Sequence, residues 1–164
     1  MSIKRDLMKD KLLDPKSFNT VYISIEDENQ VRQEQMETLI ELLCDTKYKS
    51  SQGQIYNFLK KEPKAVDLLI RAIDEAKGDK KRLIEVCWEA DLDCSRHLAL
   101  FTGIVLNDEF QIALEAMTVI EHMSPDVPVT PVAPLIDKVR AKYSSSDPKA
   151  ALYMDLMELL RRWE

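Results

Sequence analysis

Between Asp79 and Met123 the chain runs twice through one pattern: an acidic residue, an apolar stripe at helical spacing, a brief polar break, then another helix of similar length. Asp79 precedes Leu83, Val86, Cys87 and Ala90; Asp93 precedes Leu98, Phe101 and Val105; Asp108 precedes Ala113, Ala116, Met117 and Ile120. An aspartate at such a position can accept the unpaired N–H groups of a helix's first turn. Apolar residues three and four apart share one helix face, which must be covered by another element. Breaks this short turn consecutive helices antiparallel, so the pattern predicts stacked helical hairpins.

The flanking sequence extends the pattern. Met36, Leu39, Ile40 and Leu43 form a stripe; Ile55, Phe58 and Leu59 begin a shorter one ended by Pro63; Leu69, Ala72, Ile73 and Ala76 form a third, with Gly78 placed for a left-handed C-terminal cap. Prolines at 125, 128, 131 and 134 recur at the three-residue period of polyproline II, predicting a stiff connector over 124–134. Pro134 then suits the first turn of a helix carrying Leu135, Ile136, Val139 and Tyr143. After Ser144, Ser145 and Ser146, the pair Asp147-Pro148 opens a helix with Leu152, Leu156, Leu159, Leu160 and Trp163. Residues 3–13 read as a short charged helix stopping before Pro15, and the alternation around Val21, Ile23 and Ile25 as an extended arm, since no second strand pattern exists to pair with it.

Composition agrees. Three glycines, 45% apolar and 32% charged residues in 164 describe a compact helical chain. That length suits one domain, divided into an N-terminal helix and arm (1–28) and a helical-repeat domain (29–164). No apolar run reaches the roughly 18 residues of a bilayer span, and the start bearing Lys4, Arg5, Lys9 and Lys11 lacks a signal-type apolar core. Three cysteines, an odd number, suit free thiols in a reducing compartment. Together these predict a cytoplasmic protein without a membrane or nucleic-acid role, because a net charge of −6 opposes phosphate binding.

The string Leu106-Asn107-Asp108-Glu109, followed by Ala113, Ala116 and Ile120, resembles the second half of a HEAT repeat. Leu98, Phe101 and Val105 resemble its outer helix, and residues 63–91 an earlier copy. The likeness covers about a third of the chain. It departs from the family at Gln111 and Ile112, where the repeat usually carries arginine after the capping aspartate, and its copies lie nearer 30 residues apart than the family's usual length. The resemblance implies an all-α fold of antiparallel hairpins stacked as an α-α superhelix, HEAT- or armadillo-like, of about seven or eight helices. It also implies a role in binding other macromolecules, whereas a generic helical bundle would imply none.

Several constellations carry chemistry. Cys87, Cys94 and His97, with Cys44 elsewhere, supply ligand types that zinc accepts, but structural zinc sites usually begin with close ligand pairs and Cys87 lies on an apolar stripe. Cys94 sits where a helix dipole lowers a thiol pKa and His97 is one turn on, yet Asp91 and Asp93 oppose thiolate formation. The acid pairs Asp108/Glu109 and Asp155/Glu158 read as solvated caps and faces, and Glu121-His122 alone is not the helix-pair motif of a carboxylate-bridged metal centre. The basic run Lys77, Lys80, Lys81 and Arg82 lacks interleaved aromatics.

Charge is distributed unevenly. From His97 to Asp137 there is no Lys or Arg, while Asp108, Glu109, Glu115, Glu121, Asp126 and Asp137 carry six negative charges, equal to the whole net charge. Either these helices are buried, leaving long cations no place, or they present an acidic docking surface that draws a basic partner. The second alternative defines candidate partner-binding residues Asp108, Glu109, Glu115 and Glu121 on a non-catalytic scaffold that needs no cofactor. The competing expectation is a metal-binding or thiol-dependent enzyme centred on Cys87, Cys94 and His97.

Overall fold

A computed structural model describes residues 28–45, 47, 49, 52–124 and 131–164. Among them are eight α-helices and no strand. They are α1 Glu28–Cys44, α2 Gln52–Lys61, α3 Pro63–Asp74, α4 Lys80–Glu89, α5 Leu98–Asn107, α6 Phe110–Glu121, α7 Ala133–Lys142 and α8 Ala150–Arg162, with a 3-10 turn at Ser95–His97. The expected N-terminal helix and extended arm, and residues 125–130 of the proline connector, lie outside the described residues. The chain divides into two compact units, Met1–Val86 and Cys87–Glu164, with the division inside α4.

In the first unit α1 and α2 both pack on α3. Met36, Leu39, Ile40 and Leu43 from α1, Ile55, Phe58 and Leu59 from α2, and Leu69, Ala72 and Ile73 from α3 are buried as their spacing predicts. Only Glu62 separates α2 from α3, and it is extended (φ −119°, ψ 91°) because the following proline disfavours helical geometry there. Asp79 caps α4 as expected, its Oδ1 accepting the Arg82 N–H at 3.1 Å. The Arg82 guanidinium donates to the Tyr56 hydroxyl at 2.7 Å, tying the start of α4 to α2.

The end of α3 corrects the sequence reading. The left-handed residue that closes this helix is Ala76 (φ 52°), which is exposed rather than on the buried stripe. Ala76 N–H donates to the Ile73 carbonyl and Lys77 N–H to that of Ala72, at 3.2 and 2.9 Å, the paired bonds of a Schellman turn. Gly78 (φ 72°) lies two residues further on, where its missing side chain admits α1: a Cβ there would stand 2.5 Å from Ile40 Cγ2 and 3.4 Å from Cys44 Sγ. In the second unit α4 ends the same way, with Asp91 at φ 50°, its N–H donating to Trp88 O and that of Leu92 to Cys87 O.

The second unit consists of two helix pairs, α5 with α6 and α7 with α8, which pack on one another. Asp93 Oδ1 accepts the Ser95 N–H at 3.1 Å, so it opens the 3-10 turn rather than capping α5 directly. Two extended residues, Asp108 and Glu109, link α5 to α6. The N-cap position of α6 belongs to Glu109, whose side chain makes no capping bond, instead of the expected Asp108. Val132 is already helical and its carbonyl accepts from Leu135 and Ile136, so the connector gives way to helix before Pro134.

The carbonyls at the end of α5 are closed from far along the chain. Lys149 Nζ donates to the carbonyl oxygens of Val105, Leu106 and Asp108 at 3.0, 3.1 and 2.8 Å. It also lies 5.5 Å from the Tyr153 ring centroid, and the Tyr153 hydroxyl donates to Leu106 O at 3.4 Å. Asp147 does not start α8 in a single step; its carboxylate accepts the Lys149 N–H at 2.7 Å and α8 begins at Ala150.

Three substitutions test these contacts by urea unfolding at unchanged m-value. Ala76→Gly should stabilise by about 1 kcal/mol by relieving a left-handed alanine, while Gly78→Ala should cost about 1–3 kcal/mol through collision with Ile40. A lowered midpoint for Ala76→Gly would disprove the left-handed cap. Lys149→Met should cost about 2 kcal/mol, because it removes charge-assisted bonds to carbonyls with no other helical donor; a change within error would show that water replaces the ammonium freely.

Candidate functional site

The four candidate acids do not form one continuous stripe. Along α6, Ala113, Ala116, Met117, Val119 and Ile120 turn inward, and the small Ala113 and Ala116 let α6 approach α5 closely. Glu109 and Glu121 are exposed, whereas Asp108 and Glu115 are half-buried. Glu115 and Glu121 are six positions apart, about 120° around the helix. Glu121 instead shares its side of α6 with Phe110 and Leu114, which are 47% and 44% exposed.

Phe110 and Leu114 were not singled out from the sequence, although a signal existed: both are large apolar residues lying off the buried stripe at an i, i+4 spacing of their own. Exposed in this way, they give α6 an apolar row that Glu121 continues beyond Leu114, while Glu109, at the N-cap, lies about 100° around the helix from Phe110. Among the described residues neither of these two glutamates is held in an ion pair. The expectation of burial fits α5, where Leu98, Phe101, Ile104, Val105 and Leu106 are buried, and does not fit the outer side of α6.

Glu115 lies on the flank of that row. Its Oε2 accepts the Trp88 indole N–H at 3.1 Å. The Trp88 and His122 rings lie 6.3 Å apart between centroids, inclined at 32°. His122 Nδ1 is 2.8 Å from the Thr118 carbonyl, and since a carbonyl only accepts, Nδ1 carries the hydrogen and Nε2 faces away from that bond.

The thiols are differently placed. Cys87 and Cys94 are each 1% exposed, while Cys44 is half-buried in the other unit beside Gly78. The neighbouring Cys94 thiol and burial push the Cys87 thiol well above the ordinary range, the opposite of what a nucleophile or metal ligand requires. His97 is half-buried, and among the described residues no group of three or more His, Cys, Asp or Glu is arranged to hold a metal ion.

The basic run is locally compensated: Lys77 pairs with Glu75 at 2.6 Å, and Lys81 and Arg82 each pair with Glu85 at 3.1 Å. Among the described residues no helix is long and apolar enough to cross a membrane. Neither a protein-family model, nor a curated protein, nor a solved structure matches the chain. The helical class therefore stands on the chain's own structure.

Cys87→Ala should destabilise by about 1 kcal/mol through lost packing, with any partner binding unchanged. Stoichiometric zinc in native mass spectra of the unmodified protein, lost in Cys87→Ala, would replace packing with metal binding as the role of this pair.

Proposed function

We propose that the chain is a non-catalytic interaction scaffold of the cytoplasm, whose helix pairs stack in a HEAT-like α-α superhelix and hold a basic protein partner on the outer side of α6. The observation that carries this reading is the exposure of Phe110 and Leu114 on a helix that buries Met117, Val119 and Ile120 and leaves Ile112 half-buried. An apolar row rimmed by carboxylates supplies both elements of a protein interface: area to remove from water and a field that selects and steers the partner. The packing of the α5/α6 pair on the α7/α8 pair supports the repeat reading. The compensated cations around Glu75 and Glu85 favour a protein over a nucleic acid as the ligand. Burial of Cys87 and Cys94 weighs against the thiol enzyme, which would instead show rapid iodoacetamide labelling at one cysteine.

Replacing Glu109, Glu115 and Glu121 together with Gln should slow association with a partner recovered by affinity capture and flatten its salt dependence, leaving the thermal midpoint within a few degrees of the parent. An association rate unaltered at low salt would remove α6 as the docking face.

A further inference from the structure

The geometry points to one class of occupant for α6: a cationic amphipathic helix of the partner, laid along the row formed by Phe110 and Leu114. This inference rests on the reading of α6 as the partner-binding face and specifies what binds there. Three common modes of segment recognition make different demands. Strand addition needs an open sheet edge, and no strand exists among the described residues. Polyproline recognition needs a groove lined by several aromatic rings, whereas Phe110 is the one exposed aromatic residue on the outer side of α6. A helix needs a ridge of side chains at i, i+4 spacing to pack beside, and Phe110 and Leu114 supply it.

Charge fixes the character of that helix. Glu121 lies on the side of the row, exposed, about 10 Å along the axis beyond Leu114, whereas Glu109 is exposed at the N-cap, about 120° around the helix from Glu121. A partner helix with Leu or Ile at i, i+4 spacing would cover Phe110 and Leu114, while a Lys or Arg about seven residues further along would reach Glu121. α6 itself contains no Lys or Arg to repel such a ligand. An acidic helix would meet like charge at Glu121, and a neutral one would leave that carboxylate unused.

The test uses the full chain and a fluorescein-labelled peptide of about eighteen residues, with Leu on one helical face and Lys on its flanks, read by fluorescence anisotropy. A scrambled peptide of identical composition serves as the control. The ordered peptide should bind about tenfold tighter than the scrambled one, and Leu114→Ser should weaken it about tenfold. Glu109→Gln with Glu121→Gln should chiefly reduce the salt dependence. Since Phe110 and Leu114 are exposed, these changes should leave the helical circular dichroism intact. Equal binding of ordered and scrambled peptides would reduce the surface to non-specific charge and overturn the inference, as would binding indifferent to Leu114→Ser or the absence of binding. Sedimentation of the chain alone as a dimer that dissociates on Leu114→Ser would also overturn it, making a second copy the occupant. Cross-linking of a captured partner to α6 through a non-helical segment would defeat the helix inference alone, whereas a captured partner cross-linking only elsewhere would defeat the underlying reading as well.

Discussion

Lys149 determines how the second unit is closed. The last carbonyls of a helix have no partner within it, and α5 leaves its own at the point where the chain must reverse within two residues. A cation at this end satisfies both the open oxygens and the negative pole of the helix dipole. The side chain is itself oriented: the Asp147 carboxylate holds the Lys149 backbone N–H, and Tyr153, one turn on, presents its ring to the ammonium and its hydroxyl to Leu106. The start of α8 thus secures the end of α5, and with it the position from which α6 departs. Phe110 owes its place at the surface to that reversal.

Two helix ends in this molecule run against backbone preference. Ala76 and Asp91 occupy left-handed geometry that glycine adopts without cost, and both support complete Schellman turns. Such conformations persist where packing on either side determines the path more strongly than the turn residue does. Here Ile73 and Ala72 precede the first turn and Cys87 and Leu92 flank the second, all buried. Gly78 meets a different demand, since Ile40 stands where its side chain would be.

Local features were legible in the sequence in proportion to how local their causes are. The stripes of α1 to α8 and the Asp79 cap follow from residues within one or two turns, and the buried side chains agree with them except at their C-terminal ends, where Ala76 and Tyr143 are exposed and Leu159 and Trp163 are half-buried. Spacing puts Ala76 on the buried stripe and propensity makes Gly78 the left-handed cap, and only the competition between packing and propensity decides otherwise. Lys149 could not be paired with Leu106, 43 positions away, by any rule based on spacing. At the candidate site the acidic residues were visible as a charge imbalance, but their separation around α6 depends on helix phase. The apolar row beside them carries a weaker signal, because a single i, i+4 pair off the buried stripe is common on helix surfaces.

The contact between Trp88 and Glu115 makes α6 optically self-reporting. The chain has two tryptophans, and only Trp88 gives its indole N–H to a carboxylate on α6 while lying beside an imidazole. Any ligand that draws Glu115 toward a cation changes the polarity and hydrogen bonding of that indole. Events at α6 are in this way written into the intrinsic emission of a residue contributed by α4, without a label attached to the surface itself.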